Sequence, residues 1–120
     1  CVQDQGLPFN RLALRSQING GMLQALSYGL FEQRVHDPDY GLLLTANLED
    51  YRIAGMQECP ELVALIDDED TRPQAMGMAE APVIPGHAAI ANAVFNACGA
   101  RVRDLPLTAD RILQALAEGG

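Results

Sequence analysis

One carboxylate of this chain stands apart from the others. Glu80 lies in the loop Gly77-Met78-Ala79-Glu80-Ala81-Pro82, where four of its five neighbours are Gly, Ala or Pro. Small neighbours let a backbone pass close to a bulky group. An apolar setting raises a carboxyl pKa and makes general-base work available to it. The apolar run over 83–95 reads as the entry to a helix, and a carboxylate at the positive end of a helix is favoured. The same placement also suits a plain cap or dipole partner.

A second cluster is Gln17 with Gly20-Gly21. Two adjacent glycines inside a helix cost about 1 kcal/mol each relative to Ala. They are expected where another backbone or a ligand comes close, or where the helix bends. Weaker candidates surround these two. His87 lies near a helix start and suits a cap, a core position or a pocket wall. Tyr51 reads as packing and Cys98 as a buried apolar residue. The acidic run Asp67-Asp68-Glu69-Asp70 reads as a solvated loop. Cys1, Cys59 and Cys98 are odd in number and widely spaced, no CxxC pair is present, and there are two His. A zinc or iron–sulfur site built by this chain alone is therefore not expected, nor is a disulfide framework.

The elements that would position these residues follow from periodicity and turn chemistry. Residues 1–10 read as a strand end and a turn at Gly6-Leu7-Pro8, followed by Asn10. A helix is expected over 12–34, with Leu14, Ile18, Met22, Ala25, Leu26, Gly29 and Leu30 on one stripe. Asp37-Pro38-Asp39-Tyr40-Gly41 is a turn. Short extended segments are expected over 42–45 and 47–53, and a strand over 61–67. The helix over 87–98 is apolar nearly all round, which implies burial on several sides, and Gly99 suits its C-cap. An extended connection over 101–107 leads to Thr108, an N-cap for a last helix over 109–117. The sum is α+β, with helices packed on short strands and joined by long loops. That is too much loop for a self-sufficient small domain.

Composition narrows the partners. The chain has 120 residues and a net charge of −8, and all eight basic residues are Arg. This balance disfavours nucleic acid and anionic membrane. No apolar stretch is long enough for a membrane span. The start at Cys1-Val2-Gln3 reads as a strand already under way, so a piece of a longer protein is expected.

Five ordered motifs together resemble the C-terminal part of the molybdenum-binding subunit of the xanthine dehydrogenase / aldehyde oxidase family, the molybdenum hydroxylases. Gln3-Asp4-Gln5-Gly6 with Asn10 resembles the family's D-x-G…N-P element, with Arg11 where Pro is usual. Ser16-Gln17-Ile18-Asn19-Gly20-Gly21 resembles its G-Q-x-x-G-G helix. Asp37-Pro38, Gly41, Asn47 and Asp50-Tyr51 resemble its D-P…G…N…D-Y loop. The Glu80 loop resembles G-x-G-E-x-P, with Ala79 where Gly is usual. Residues 89–108 resemble its A-I-A-N-A-V-F…R-V-R-x-L-P-L-T run.

The resemblance implies that residues 1–120 are the C-terminal portion of a molybdopterin-binding domain. It implies that Glu80 is the catalytic general base, in a reaction inserting water-derived oxygen into an aldehyde or an aromatic N-heterocycle. Gln17, Gly20, Gly21 and Ala79 would contact a Mo-molybdopterin cofactor, in its cytosine dinucleotide form. No protein side chain would ligate the metal, which is held through the pterin dithiolene. The implied partners are the remainder of the molybdenum subunit, an iron–sulfur subunit carrying 2Fe-2S clusters and a flavin subunit carrying FAD. The implied location is the cytoplasm, with periplasmic export alongside a partner subunit as the alternative. Ala79 in place of Gly supports a rival reading, a non-catalytic structural or interaction subunit that retains the fold.

Overall fold

The 20-residue helix α1 (Arg11–Leu30) is the element on which the rest of the chain is laid. This holds in the computed structural model, which describes residues 1–67 and 72–119. Asn10, extended at φ −139°, starts the helix: its Oδ1 accepts the Ala13 N–H at 3.0 Å. Such a cap satisfies one of the free donors of the first turn. The helix runs unbroken through Gly20-Gly21 and stops four residues short of the expected end at 34. It stops there because the Phe31 and Glu32 N–H groups both turn back to the Ser27 carbonyl, at 2.8 and 3.1 Å.

Strand β1 (Val2–Gln3) pairs in parallel with β2 (Leu65–Ile66), in the register Val2↔Leu65 and Gln3↔Ile66. Of the strand expected over 61–67, Leu65–Ile66 is strand, and Cys1 continues the pairing, its amine donating to the Val63 carbonyl at 2.8 Å. Beyond Gln3 the first segment turns to another neighbour. The Leu7 N–H reaches the Gln74 carbonyl at 3.0 Å, and the Met76 N–H reaches the Gln5 carbonyl at 2.8 Å. Gly6 makes this crossing feasible: it has φ +65°, and a Cβ there would sit 2.2 Å from the Gln74 carbonyl oxygen. Arg72 pairs with Asp4 at 2.6 Å beside it. Asp68, Glu69 and Asp70 of the acidic run lie outside the described residues; Asp67 donates its N–H to the Gln3 carbonyl at 3.2 Å.

In the long connection after α1, the turn at Asp37 forms as expected. Its Oδ1 accepts the Asp39 and Tyr40 N–H groups at 2.9 and 2.8 Å, and Gly41 has φ +68°. The extended segment expected over 47–53 begins instead as a turn. Asn47 Oδ1 accepts from Glu49 and Asp50 at 2.9 and 3.2 Å, and the Tyr51 N–H closes on the Asn47 carbonyl at 2.8 Å. The Asn side chain offers the backbone a local partner that competes with pairing to a strand.

Helix α2 (Gly86–Cys98) ends at Gly99, which has φ +80°. The burial expected on several of its sides is not found. None of its residues is buried, and Phe95 is 37% exposed. Its first turn lies on α1, and Arg101 lies against Asn92 and Phe95, while Ala88, Ala89, Asn92, Ala93 and 95–98 stay exposed. Cys98, expected to be buried, is exposed, its thiol on the Val94 carbonyl at 3.2 Å. The connection over 101–107 bends rather than running extended, with a cis Leu105–Pro106 peptide. It turns back so that the Leu107 N–H reaches the Gly29 carbonyl at 2.8 Å. Helix α3 (Ala109–Ala117) starts after Thr108, whose side chain makes no cap bond to the backbone. Hydrogen bonding from Thr108 instead holds the Asp110 carboxyl below its usual range.

The core is small and strung along α1: Ile18, Ala25, Pro82, Ala100 and Leu107 are buried. No helix among the described residues is long and apolar enough to cross a membrane.

Candidate functional site

Gln17, Gly21, Ala25 and Gly29 recur every four residues and so share one face of α1. The segment 79–90 is laid along that face in register. Gln17 Nε2 donates to the Ala79 carbonyl at 2.9 Å. Gly21 lies under Pro82, where a Cβ would meet the proline Cβ at 2.7 Å. Ala25 faces Gly86, where a Cβ would sit 2.4 Å from the alanine Cβ. Gly29 faces His87 and Ile90, and a Cβ there would find their side chains at 3.5–3.6 Å. The contact face is therefore built from small residues. It shares Ala25 and Gly29 with the stripe expected from periodicity, of which Ile18, Ala25 and Gly29 are buried. The signal for it in the sequence was the four-residue recurrence of Gly21, Ala25 and Gly29.

This seam carries Glu80. The Val83 N–H closes on the Glu80 carbonyl at 2.9 Å and the Gly86 N–H on the Val83 carbonyl at 3.2 Å. These turns separate Glu80 from α2, whose N-cap is Pro85. The placement of Glu80 at the positive end of that helix is thereby corrected: two successive turns intervene. The expected apolar enclosure is not supplied by the described residues either, and the side chain is exposed. Among them, no hydrogen bond or ion pair engages its carboxylate. Neither capping nor ion pairing occupies this group, so it is available to something outside the seam.

Behind the turn, the Tyr28 hydroxyl lies 3.2 Å from His87 Nδ1 and 3.5 Å from the Val83 carbonyl. The two rings are 5.4 Å apart. His87 thus joins α2 to α1, and Tyr28, not singled out from the sequence, is its partner. Tyr51 is engaged elsewhere. Its hydroxyl donates to Glu32 at 2.6 Å, and that bond raises the phenol above its ordinary range.

The two adjacent glycines have opposite surroundings. Gly21 is closed by Pro82, whereas a Cβ at Gly20 would meet nothing within 4 Å. Of the two glycines expected to open the helix to a cofactor, Gly21 has Pro82 over it and Gly20 faces open space. Gln17 is exposed, and the bond to Ala79 uses one N–H of its amide, leaving the second N–H and the carbonyl oxygen. A groove of about 320 Å³ runs beside it, lined among others by Gln5, Asn10, Leu14, Met76 and Met78. Gln5 Oε1, at this groove, is buried without a donor, as is Asn19 Oδ1 elsewhere. Unmet polar atoms of this kind mark a place where a further group belongs. The site thus offers neutral amide donors and acceptors, one free carboxylate and an open gap over Gly20. Among the described residues, no group of three or more His, Cys, Asp or Glu is placed to hold a metal ion.

Comparison with known proteins bears on this arrangement. Residues 1–60 match the family model described as the molybdopterin cofactor-binding domain. The chain is 34% identical over 116 residues to the xanthine dehydrogenase molybdenum-binding subunit of Escherichia coli O157:H7, covering 94% of this chain and 15% of that protein. It is 34% identical over 115 residues to the aldehyde oxidoreductase molybdenum-binding subunit PaoC of Escherichia coli K12, covering 92% of this chain and 16% of that protein. Among solved structures, quinoline 2-oxidoreductase from Pseudomonas putida 86 superposes with a TM-score of 0.79 at 29% identity, over 98% of this chain and 16% of that one. The chain therefore spans about 15% of the length of the curated relatives it matches.

Proposed function

The chain belongs to the molybdopterin cofactor-binding domain family, and on that premise we propose that it forms one wall of the active site of a molybdenum hydroxylase. The observation that carries this reading is the seam itself. It presents an exposed Glu80, engaged by no partner among the described residues, next to the Gln17 amide and the gap over Gly20.

The residues present suit the molybdopterin group. Gln17 would hold the pterin edge with its free amide N–H and carbonyl oxygen, since such an edge needs both donors and acceptors. Gly20 would let it approach the helix, and Ala79 would hold Gln17 in orientation through its carbonyl. Gly21 contributes indirectly, by seating Pro82 and so fixing the turn that carries Glu80. When bound, the molybdenum–pterin group supplies the redox chemistry of carbon hydroxylation. Glu80 serves as general base. One carboxylate oxygen takes the proton from the water-derived oxygen nucleophile as that oxygen attacks an electrophilic carbon of the substrate. Tyr28 and His87 brace the turn from behind, so the carboxylate is presented from a packed support.

We further propose that residues 1–120 act as the C-terminal portion of a longer molybdenum subunit and not as a self-sufficient domain. The cofactor would be the cytosine dinucleotide form. Electrons would leave through 2Fe-2S clusters and FAD on partner subunits. The substrate is an aldehyde or an aromatic N-heterocycle, a range supported by the names of the relatives. Three exposed, unpaired thiols favour the reducing cytoplasm.

The test is E80Q in the assembled enzyme, with molybdenum content and turnover measured on the same sample. Molybdenum is expected to stay bound while turnover falls by about 10²–10⁴-fold. Turnover within a few-fold of the parent would exclude the general-base role and favour the interaction-subunit reading.

A further inference from the structure

Between α2 and the segment 101–105 runs another groove, of about 370 Å³. Its lining combines Ala91, Val102 and Leu105 with His87, Arg101 and Arg103. No Asp or Glu lines it, although the chain as a whole carries a net charge of −8. The two arginines here have no ion pair among the described residues, as is also true of Arg15, Arg34 and Arg111. Arg52 and Arg72 are paired with Glu58 and Asp4. Arg101 is fixed without being neutralised: its Nη1 donates to Asn92 Oδ1 at 2.9 Å and its guanidinium lies 3.7 Å over the Phe95 ring. A guanidinium has five N–H donors in a planar fork, so one bond to Asn92 leaves most of the fork to a carboxylate. Arg103 is exposed and has no ion pair among the described residues.

We propose that this groove is the docking site for an acidic peptide segment from the remainder of the same molybdenum subunit. Its carboxylates would lie on Arg101 and Arg103, and its apolar side chains on Ala91, Val102 and Leu105. The source rests on the reading given under Proposed function, since the matched relatives are named as subunits of which this chain spans about 15%. The charge of the groove selects the chemistry. A cationic, acid-free groove attracts Asp and Glu side chains, and charge alone does not say which chain brings them. Its apolar walls suit a peptide segment, which brings apolar side chains with its carboxylates, better than a free anion.

The chain contains no Lys, which makes a direct test available. R103K keeps the positive charge and introduces the chain's one side-chain amine. Zero-length carbodiimide coupling then joins that amine to any carboxylate in contact, and peptide mass spectrometry locates the link. R52K is the control, because Arg52 already contacts Glu58 at 2.9 Å. In the assembled protein, R103K is expected to couple to an Asp or Glu of the same subunit outside residues 1–120. Coupling to a separate subunit, coupling only within this chain, or no coupling while R52K reacts would each overturn the proposal. R103E is expected to lower the yield of intact assembly about tenfold or more; an unchanged yield would also overturn it. Molybdenum content of the same R103K sample reports on the enzymatic reading and not on docking, so failure of one is distinguishable from failure of the other.

Discussion

The seam between α1 and residues 79–90 and the outer faces of α2 and α3 are built on opposite plans. In the seam, Gly21 and Gly86 leave no room for another atom, with a Cβ reaching 2.7 Å from Pro82 and 2.4 Å from Ala25. On the outer faces, large apolar side chains have no cover among the described residues: on α3, Leu113 is 66% exposed and Leu116 43%. The seam spends its apolar surface within the chain, with small residues, and fixes the position of Glu80. The outer faces leave theirs exposed among the described residues. Packed regions tolerate little change in volume, whereas exposed positions tolerate much.

The contrast can be broken first at Gly86. G86A places a methyl against Ala25, and a loss of about 3 kcal/mol is expected by urea unfolding of the purified protein. Combining it with A25G removes the collision and is expected to recover part of that loss, which a general loss of helix stability would not allow. G21A comes next, at about 1–3 kcal/mol, because Pro82 must shift and carry the Glu80 turn with it. Its neighbour sharpens the comparison. G20A is expected to leave unfolding within about 1 kcal/mol of the parent, on the stabilising side, while molybdenum content falls several-fold in the assembled enzyme. Equal destabilisation by the two substitutions would remove the distinction between a closed and an open side of α1.

On the outer faces, L113S is expected to change the stability of the assembled enzyme by no more than about 0.5 kcal/mol where that face stays exposed. A larger loss in the assembled enzyme would show that a partner covers that face. The smallest effect lies at Tyr51. Its phenol is raised above 10.0 by the bond to Glu32, so the folded state favours the protonated form. That contribution is present below pH 10.0 and is lost as the pH rises through the raised value. Melting temperatures between pH 9 and 11 should fall less steeply in Y51F than in the parent.

Much of this was legible in the sequence where the chemistry is local. The Asp37 turn, Gly41, Gly99 and the third helix depend on a few adjacent residues and their backbone preferences. The errors share a different cause. Residues 61–67 have the pattern of a strand, yet only Leu65–Ile66 forms one, paired with Val2–Gln3. The apolar helix over 87–98 has the pattern of burial on all sides, yet within this chain it contacts mainly α1. Asn47 has a side chain that closes a turn within four residues, and that local bond displaced the extended segment.

What the sequence by itself determined is the inventory at the site. A lone carboxylate sits among small residues, and an amide and two glycines lie on one helix. Their order also resembles that of the molybdenum hydroxylases. Only the tertiary structure decided how these parts divide the work. It laid residues 79–90 along Gln17, Gly21, Ala25 and Gly29, closed one glycine with Pro82 and left the other open. It also moved Glu80 away from the helix end it was expected to occupy. The physical reason is that a residue's type sets what it can bond to, while contact between residues sixty positions apart depends on which faces fit, and that is settled only when the helix and the loop pack together.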